Sequence, residues 1–378
     1  NQLVRIEADT EFTGYGAVDG QGKVVALLRG AEHVDELREG QEGVIVLDRT
    51  PFYGESGGQV GDTGHFSGRN LRIDVHNTTK TGGAFLHHVI VVDGVVKTGD
   101  VLDAHVDKDI RQATALNHSA THLLHAALRK VLGSHVQQKG SLVDNQRLRF
   151  DFAQPEPVGA ERLHQIEMLV NDEIRRNTAI ETTVGDMDTA KAKGAMMLFG
   201  EKYGDTVRIL SMGEGFAEGG AFSVELCGGT HAKRTGDIGL FRIVSEAGVA
   251  SGVRRIEAVT GEAAIQRFDD IESELDNACA ILKTGRAGFA DKLQSLVEAN
   301  RQLEKQLAQL KTKLASGSGG DLSAQAKDVN GVKVLAAQID GADVNALRTI
   351  LDQMKDKLKS AVILLAASDG EKATLIAG

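Results

Sequence analysis

The chain has 378 residues, of which 41% are hydrophobic and 4% aromatic, with no tryptophan and a formal net charge of −10. This length is too great for one ordinary domain and suits two or three, with cores built from aliphatic side chains. The negative charge excludes a protein that coats nucleic acid nonspecifically, although a local basic patch still allows one specific nucleic-acid partner.

The number of cysteines and the lengths of the apolar runs indicate the cellular compartment. The two cysteines, Cys227 and Cys279, are too few for a disulfide framework and fit a reducing environment. The N-terminal sequence lacks a signal-peptide pattern, and no apolar run of the sequence approaches the ~18 residues of a membrane span. We therefore expect a cytoplasmic protein with no membrane partner. The first residue, Asn1 instead of methionine, indicates a piece of a longer chain.

The predicted fold class is α+β, beginning with a mostly-β, barrel-like subdomain over residues 1–106. Short apolar runs there are separated by Gly and Asp turns. Residues 109–132 then place apolar groups at helical spacing. A strand pair over 140–152 and a second helix over 160–176 follow, so residues 107–261 are predicted to be an α/β domain.

The rest of the sequence predicts a helical segment over 262–315. Leucines recur there at heptad spacing, in one series at Leu293, Leu307 and Leu314, with Asn300 in the seam, and in another at Leu296, Leu303 and Leu310. This pattern is typical of a short coiled coil, and equally of a helix that packs on its own domain.

A Ser/Gly linker at 316–320 leads to the last predicted region, residues 321–378. Two strands, over 332–339 and 361–367, flank a helix over 344–358. We expect this region to be a C-terminal β/α domain that is incomplete.

Two short motifs place metal-binding side chains at ligand spacing. His118 and His122 are four residues apart on the first predicted helix, so they share one face with Cβ atoms about 6 Å apart. Cys227 and His231 flank a turn whose two glycines let the backbone fold back. Three imidazoles and one thiolate suit one tetrahedral zinc ion per chain. The sequence leaves open whether this zinc is structural or catalytic.

Several polar residues follow the first two ligands. Thr121 faces the same way as the histidines, so its hydroxyl either lines a polar pocket beside the metal or bonds back to its own helix. Gln138, Lys139 and Ser141 add donors to that pocket, or form an ordinary polar hairpin. His125 extends the same helical face and is either a spare ligand or a neighbour.

Two other segments are candidates for contact with nucleic acid. The glycine-rich residues 54–64 either bring Gln59 and backbone N–H groups close to a nucleic-acid end or form a tight turn. Arg254 and Arg255 are adjacent on a predicted strand, so at most one of them faces a ligand, and either can be a solvated surface residue. The sequence contains no GxxxxGK[ST] loop and no GxGxxG fingerprint, so no nucleotide-phosphate site of those kinds is predicted.

Five strings together closely resemble the editing domain of alanyl-tRNA synthetases: NHSATHLLHAAL, QKGSLV, LRFDF, ELCGGTH and SGVRRIEAVTG. The resemblance runs across nearly the whole chain. Residues 321–378 are similar to the start of the family's C-terminal domain, which is associated with tRNA binding and dimer formation. The Gly213–Gly220 stretch is longer than the family pattern.

The resemblance implies a hydrolase that removes wrongly attached amino acids from Ser-tRNA(Ala) and Gly-tRNA(Ala). It implies zinc on His118, His122, Cys227 and His231, and a pocket formed by Thr121, Gln138 and Ser141. The residues predicted to contact the aminoacylated end of tRNA(Ala) are Gln59, Lys139, Arg254 and Arg255. A homodimer is expected through the heptad leucines of residues 289–315 and through the C-terminal domain. The family's aminoacylation domain is missing, so ATP is not expected to bind.

Three alternatives compete with this interpretation. A free-standing alanyl editing hydrolase is disfavoured by the non-Met start and the C-terminal segment. An editing module of the threonyl type, which shares the HxxxH and CxxxH motifs, is disfavoured by ELCGGTH and SGVRRIEAVTG. An inactive tRNA-binding module, stabilised by a purely structural zinc, is separated from the enzyme by a deacylation assay.

Overall fold

A computed structural model describes most of the chain, and of residues 312–317 it describes only the backbone. The described residues are 8–196, 204, 206–215, 220–317, 321–339, 341–368 and 372–378. Their contacts divide the chain into two units, Asn1–Asp270 and Ile271–Gly378.

The first part of unit 1 is a closed antiparallel β-barrel. Its strands are β1 (Glu11–Phe12), β2 (Asp19–Arg29), β3 (Glu32–His33), β4 (Glu36–Arg38), β5 (Glu42–Leu47), β6 (Arg49–Thr50), β7 (Gly64–Gly68), β8 (Leu71–Thr81), β9 (Ala84–Asp93), β10 (Val95–Lys97) and β11 (Val101–Val106). Six of them pair in the order β11-β7-β8-β9-β5-β2, and β11 also pairs with β2, which closes the sheet. Inward-facing aliphatic and Phe side chains fill it. The predicted barrel-like character is confirmed.

The second part of unit 1 packs helices on two small sheets. Its elements are α1 (Lys108–Leu132), β12 (Gln138–Val143), β13 (Leu148–Ala153), α2 (Ala160–Arg176), β14 (Glu181–Gly185), α3 (Met187–Ala192), β15 (Val207–Met212), β16 (Ser223–Leu226), β17 (Phe241–Ala250) and β18 (Val253–Thr260). One sheet has the order β12-β13-β18-β17, and the other has the order β14-β15-β16. The mixture of barrel, sheets and helices confirms the α+β class.

Local signals set the ends of α1. The Asp107 side chain accepts a hydrogen bond from the Ile110 N–H, and Arg129 and Lys130 lie in the last turn, where cations favour the helix dipole. Gly133 follows with φ of 121°, a conformation that L side chains rarely adopt. The helix therefore begins one residue before the predicted start and ends at the predicted residue.

A buried ion pair joins α1 to the barrel. The Arg111 guanidinium binds the Asp62 carboxylate, and both side chains are almost fully buried. Arg111 also donates to the carbonyl oxygens of Gly14 and Pro51, at 2.9 and 2.7 Å. Because its donors are satisfied inside the protein, this charge tolerates burial. The contact holds the barrel loops of residues 51–62 against the helix that carries two of the predicted ligands.

The C-terminal part contains α4 (Gly261–Ile281), which crosses the unit boundary, and then α5 (Phe289–Gly317), β19 (Lys327–Val329), β20 (Val332–Gln338), α6 (Val344–Leu358), β21 (Ala361–Ser368) and β22 (Ala373–Ala377). The last four strands form one sheet, in which α6 links the parallel pair β20 and β21. The helix has the predicted bounds, and each of the two predicted strands differs from its prediction by one residue at its end.

The predicted helical segment and linker differ in detail from the structure. A short 3-10 turn at Arg286–Gly288 divides the segment into α4 and α5. The second helix extends to Gly317, two residues into the predicted linker, and residues 318–320 lie outside the described part. Residues 216–219 of the predicted glycine-rich stretch also lie outside it. No helix in the described ranges has both the length and the apolar character needed to cross a membrane.

Candidate metal centre

The four predicted ligands come together in unit 1. His118 and His122 lie on successive turns of α1, Cys227 directly follows β16, and His231 follows four residues later. Their donor atoms all lie within 4.8 Å of one another. The Cys227 Sγ is 3.5 Å from Nε2 of His118 and 3.2 Å from Nε2 of His231. Donors of tetrahedral zinc are separated by roughly 3.3–3.8 Å. The cluster therefore needs only a small contraction to hold one metal ion.

Each of the three imidazoles is oriented through its other ring nitrogen. Nδ1 contacts an oxygen in every case: Oε1 of Gln59 for His118 (2.7 Å), Oε2 of Glu225 for His122 (2.6 Å) and Oγ of Ser119 for His231 (3.2 Å). The Ser119 hydroxyl already donates to the Ala115 carbonyl, so it accepts from His231. Nδ1 therefore carries the proton in each ring, and each Nε2 is available to a metal. Such outer partners are typical of metal sites.

The Nε2 atom of His122 tests whether the cluster suits a metal. This atom is buried, and it has no hydrogen-bond partner among the described residues. Leaving a buried polar atom unpaired costs about 1–3 kcal/mol. A metal ion shared with the other three donors removes that cost, so the residues present fit a bound cation.

The charges in the cluster are strongly coupled. Burial raises the pKa of Cys227, but His118, His231 and His122 outweigh it and hold that pKa well below its ordinary value. Burial lowers the pKa of His122, but Glu225 and Cys227 raise it to about 10. A lowered pKa of Cys227 favours the thiolate, which is the form of cysteine that binds a metal ion.

A cavity of about 440 Å³ adjoins the ligands. Its lining includes the three predicted pocket residues, Thr121, Gln138 and Ser141. The Thr121 hydroxyl donates to the carbonyl of Asn117, at 2.8 Å. Thr121 therefore bonds back to its helix and also lines the cavity. Since its hydrogen is used, the oxygen is left to act as an acceptor.

Known proteins match both the segment that carries Cys227 and the chain as a whole. A family model described as the threonyl and alanyl tRNA synthetase second additional domain matches residues 207–257, and one described as class II (A) tRNA synthetases matches residues 1–110. All 378 residues align with the alanine--tRNA ligases of Pseudomonas entomophila, Pseudomonas fluorescens and Pseudomonas syringae pv. syringae, at 58%, 59% and 57% identity. The chain belongs to the alanyl-tRNA synthetase family. It spans 43% of the length of each of these ligases.

In this member of the alanyl-tRNA synthetase family, the residues predicted to contact tRNA lie outside the cavity. Gln59 is fully buried, and its amide bonds to His118 and Thr230. Arg254 pairs with Glu246 at 2.5 Å. In the described part of the chain, none of these residues lines the cavity beside the ligands. Their contact with tRNA stays a prediction.

The other two predicted tRNA contacts lie on neighbouring strands. Lys139 is an exposed residue of β12, and Arg255 on β18 pairs with Asp151 through two hydrogen bonds of 2.7 and 2.8 Å. Neither belongs to the cavity lining among the described residues. Their role also stays a prediction.

The sequence analysis did not identify Glu225, a buried acidic residue that contacts two histidines of the site. Glu225 binds both His122 and His125, and the two imidazoles lower its pKa to about 2 although burial raises it. His125 is thus a neighbour held by Glu225, outside the group of four donors. The only signal in the sequence was the place of Glu225 two residues before Cys227, and spacing alone gives that residue no role.

Proposed function

We propose that this chain is the editing part of an alanyl-tRNA synthetase, which hydrolyses Ser-tRNA(Ala) and Gly-tRNA(Ala). The observation that carries the proposal is the cavity in which Thr121, Gln138 and Ser141 lie beside four converging metal ligands. The family match over residues 207–257 supports it, because the matched model is named for threonyl and alanyl tRNA synthetases.

The proposed metal is one zinc ion per chain. His118, His122, Cys227 and His231 would hold it, and this mixture of imidazole and thiolate is one that zinc prefers. A bound zinc supplies a positive charge beside the cavity. Four protein ligands are typical of a closed structural site. The proposed reaction therefore depends on the polar residues of the cavity for recognition.

Ester hydrolysis needs the aminoacyl carbonyl held where water can attack it. The Thr121 oxygen is free to accept a hydrogen bond from the seryl hydroxyl, because its own hydrogen is donated to Asn117. Gln138 and Ser141 add polar atoms to the same cavity. An alanyl group leaves these atoms unpaired, and a site built to bind a hydroxyl can reject such an analogue by 10⁴–10⁵-fold, as a rough upper figure. Glycine has no hydroxyl, so its hydrolysis requires a steric limit at Cβ.

The proposal does not extend to the whole activity of the relatives. The chain spans 43% of their length, so ATP-dependent aminoacylation is not assigned to it.

The proposed partners are the aminoacylated end of tRNA(Ala) and a second copy of the chain, through residues 289–315 and the C-terminal domain. The cytoplasm is the proposed compartment. The proposed domains are 1–106, 107–261, 262–315 and 321–378, with 316–320 as linker.

The test is hydrolysis of Ser-, Gly- and Ala-tRNA(Ala), with zinc content measured on the same protein sample. We expect about one zinc per chain and hydrolysis of the first two esters. Cys227→Ala and His122→Ala should lose zinc, whereas His135→Ala should retain it, because His135 is exposed and lies outside the cluster. Unchanged zinc in both ligand variants contradicts the metal assignment.

A second candidate function is an inactive tRNA-binding module. The closed set of four protein ligands favours it, since such sites are usually structural. Full zinc occupancy without hydrolysis of any ester would support this candidate and exclude the hydrolase. A free-standing editing hydrolase is less well supported, because all 378 residues align with alanine--tRNA ligases.

A further inference from the structure

A second cavity, of about 680 Å³, adjoins the cavity beside the metal ligands. Two side chains, Tyr15 and Arg208, line both cavities. The five-residue turn that carries two of the ligands also spans both. Its residues 227–229 line the metal cavity, and its residues 230–231 line the second one. A molecule that occupies both cavities therefore lies along this turn.

Tyr15 and Arg208 form a stacked pair that is fixed to the same turn. The Arg208 guanidinium carbon lies 3.8 Å from the centroid of the Tyr15 ring. The Tyr15 hydroxyl donates to the carbonyl of Gly228, and Arg208 donates to the carbonyl of Gly229, both at 2.5 Å. Both groups are thus held at a defined position relative to the metal ligands.

The Tyr15 ring is still accessible. Arg208 covers part of it and Phe12 meets it edge-on with ring centroids 4.8 Å apart, yet 51% of the residue is exposed. An exposed aromatic ring backed by a guanidinium is a surface on which nucleobases stack, through their π-faces and through the cation. Such stacking does not require a base-specific hydrogen bond.

The rest of the second cavity offers groups that suit a nucleoside. Gln112 and Thr230 supply polar atoms, and the exposed Lys233 supplies a positive charge. Of the two acids in the lining, Asp19 pairs with Lys108, and the exposed Asp237 accepts a hydrogen bond from the backbone N–H of Arg234. The lining therefore combines a stacking surface, neutral hydrogen-bonding groups and one cation for a phosphate.

We propose that the second cavity is the subsite for the terminal nucleoside of the tRNA substrate, with its base stacked on the Tyr15–Arg208 pair. The aminoacyl group then lies in the metal cavity, and the ribose ester between them lies over the turn of residues 227–231. This inference rests on the proposed function, because it assumes that an aminoacylated RNA end is the substrate.

The test compares two RNA hairpins that carry no amino acid and differ only at the 3′ end, which is adenosine in one and an abasic nucleotide in the other. We expect the protein to bind the adenosine-ended hairpin about 5- to 150-fold more tightly, measured by fluorescence anisotropy. Tyr15→Ala should bring this ratio close to one. Tyr15→Phe should preserve it, because the ring remains while the hydrogen bond to Gly228 is lost.

The matched control is Phe268→Ala. Phe268 is also exposed and also lies against an arginine, Arg242, but it lines neither cavity among the described residues. This variant should keep the preference for adenosine, and all variants should keep the wild-type zinc content. The proposal is refuted if the wild-type protein binds both hairpins equally tightly, or if Tyr15→Ala keeps the wild-type ratio of affinities. Failure of the proposed function is a separate result, namely that the wild-type protein does not hydrolyse Ser-tRNA(Ala).

Discussion

Oε1 of Gln59, in a loop of the barrel, lies 2.7 Å from Nδ1 of His118 on α1. The same oxygen accepts from the backbone N–H of Thr230 at 2.9 Å, and the amide nitrogen donates to the Thr230 hydroxyl at 2.8 Å. One buried side chain therefore connects His118, the turn that carries Cys227 and His231, and the barrel. The barrel thus contributes to the candidate metal centre.

Gln59→Met should weaken zinc binding by about 10- to 100-fold, the usual loss when an outer partner of a metal-binding histidine is removed. Methionine has a similar length but leaves His118 and Thr230 without their partners. Gln59→Glu keeps the acceptor for His118, so its zinc affinity should fall less than that of Gln59→Met. Competition with a chelator measures both affinities. Wild-type affinity in the methionine variant would show that this contact does not orient the ligand.

The two glycines after Cys227 form a second matched pair of variants. A Cβ at Gly229 would lie well under 3.0 Å from two ring atoms of His118, whereas a Cβ at Gly228 would meet only the Tyr15 hydroxyl, at 3.8 Å. Gly229→Ala should therefore displace a ligand and lower zinc content and hydrolysis at least about tenfold, since small misplacements at a reacting site are costly. Gly228→Ala should leave both nearly unchanged. Equal behaviour of the two variants would refute this reasoning.

The features that the sequence predicted correctly depend on local patterns. The apolar period and the flanking Asp107 and Gly133 fix the bounds of α1 without reference to the rest of the chain. The spacing of His118 and His122 places both on one helical face. Closure of the barrel depends on more than local patterns, because the pairing of β11 with β2 joins strands that are about 80 residues apart.

The features that the sequence missed depend on contacts between distant segments. Glu225 meets His122 across 103 positions, and Ser119 meets His231 across 112. Such contacts follow from how the sheets and helices pack, and residue spacing does not encode them. The same holds for Arg254, because its pairing with Glu246 depends on the register of β17 against β18.

His87 should make the stability of the protein depend on pH. It is buried in the barrel, where its Nδ1 donates to the Ile45 carbonyl and its Nε2 accepts from Thr50. Burial lowers its pKa from 6.5 to about 4. Between these values the unfolded chain binds a proton that the folded chain does not, so stability is full above pH 6.5 and falls toward pH 4. The loss amounts to about 3 kcal/mol.

Urea unfolding at pH 7 and pH 5 measures this dependence. His87→Gln does not titrate in this range, so its free energy of unfolding should fall less between the two pH values than that of the wild type. Comparison with the wild type removes the contributions of the other titrating groups. Identical pH dependence in the two proteins would mean that His87 does not contribute.

The leucines of α5 should mediate association between chains. Leu303, Leu307 and Leu310 are 62%, 56% and 60% exposed in a single chain. Exposed leucines at heptad spacing are stabilised by a partner helix. We expect sedimentation to give a dimer, and Leu303→Asp combined with Leu310→Asp to give a monomer. Gln309→Asp adds a charge to the exposed face of the same helix, two positions after Leu307 and away from the leucine seam, and should remain dimeric. An unchanged mass in the double variant excludes a seam between chains.

The last prediction concerns the discrimination between serine and alanine. The Thr121 side chain lines the cavity, and its hydroxyl donates to the Asn117 carbonyl, so only its oxygen is available to the seryl hydroxyl. Thr121→Val keeps the shape and removes that acceptor. Losing one such bond should cost about 1–3 kcal/mol of transition-state binding, or roughly 5- to 150-fold in kcat/KM for Ser-tRNA(Ala).

The ratio of Ser-tRNA(Ala) to Ala-tRNA(Ala) hydrolysis should also move toward one. Hydrolysis of the seryl ester falls, and hydrolysis of the alanyl ester rises because valine leaves less polar surface unpaired when an alanyl group enters. Zinc content should not change, since Thr121 is not one of the four clustered donors. That control separates lost recognition from a damaged metal site. If Thr121→Val keeps its zinc and hydrolyses both esters in the wild-type ratio, the acceptor for the seryl hydroxyl is not Thr121. Gln138 and Ser141, which line the same cavity, are then the residues to substitute next.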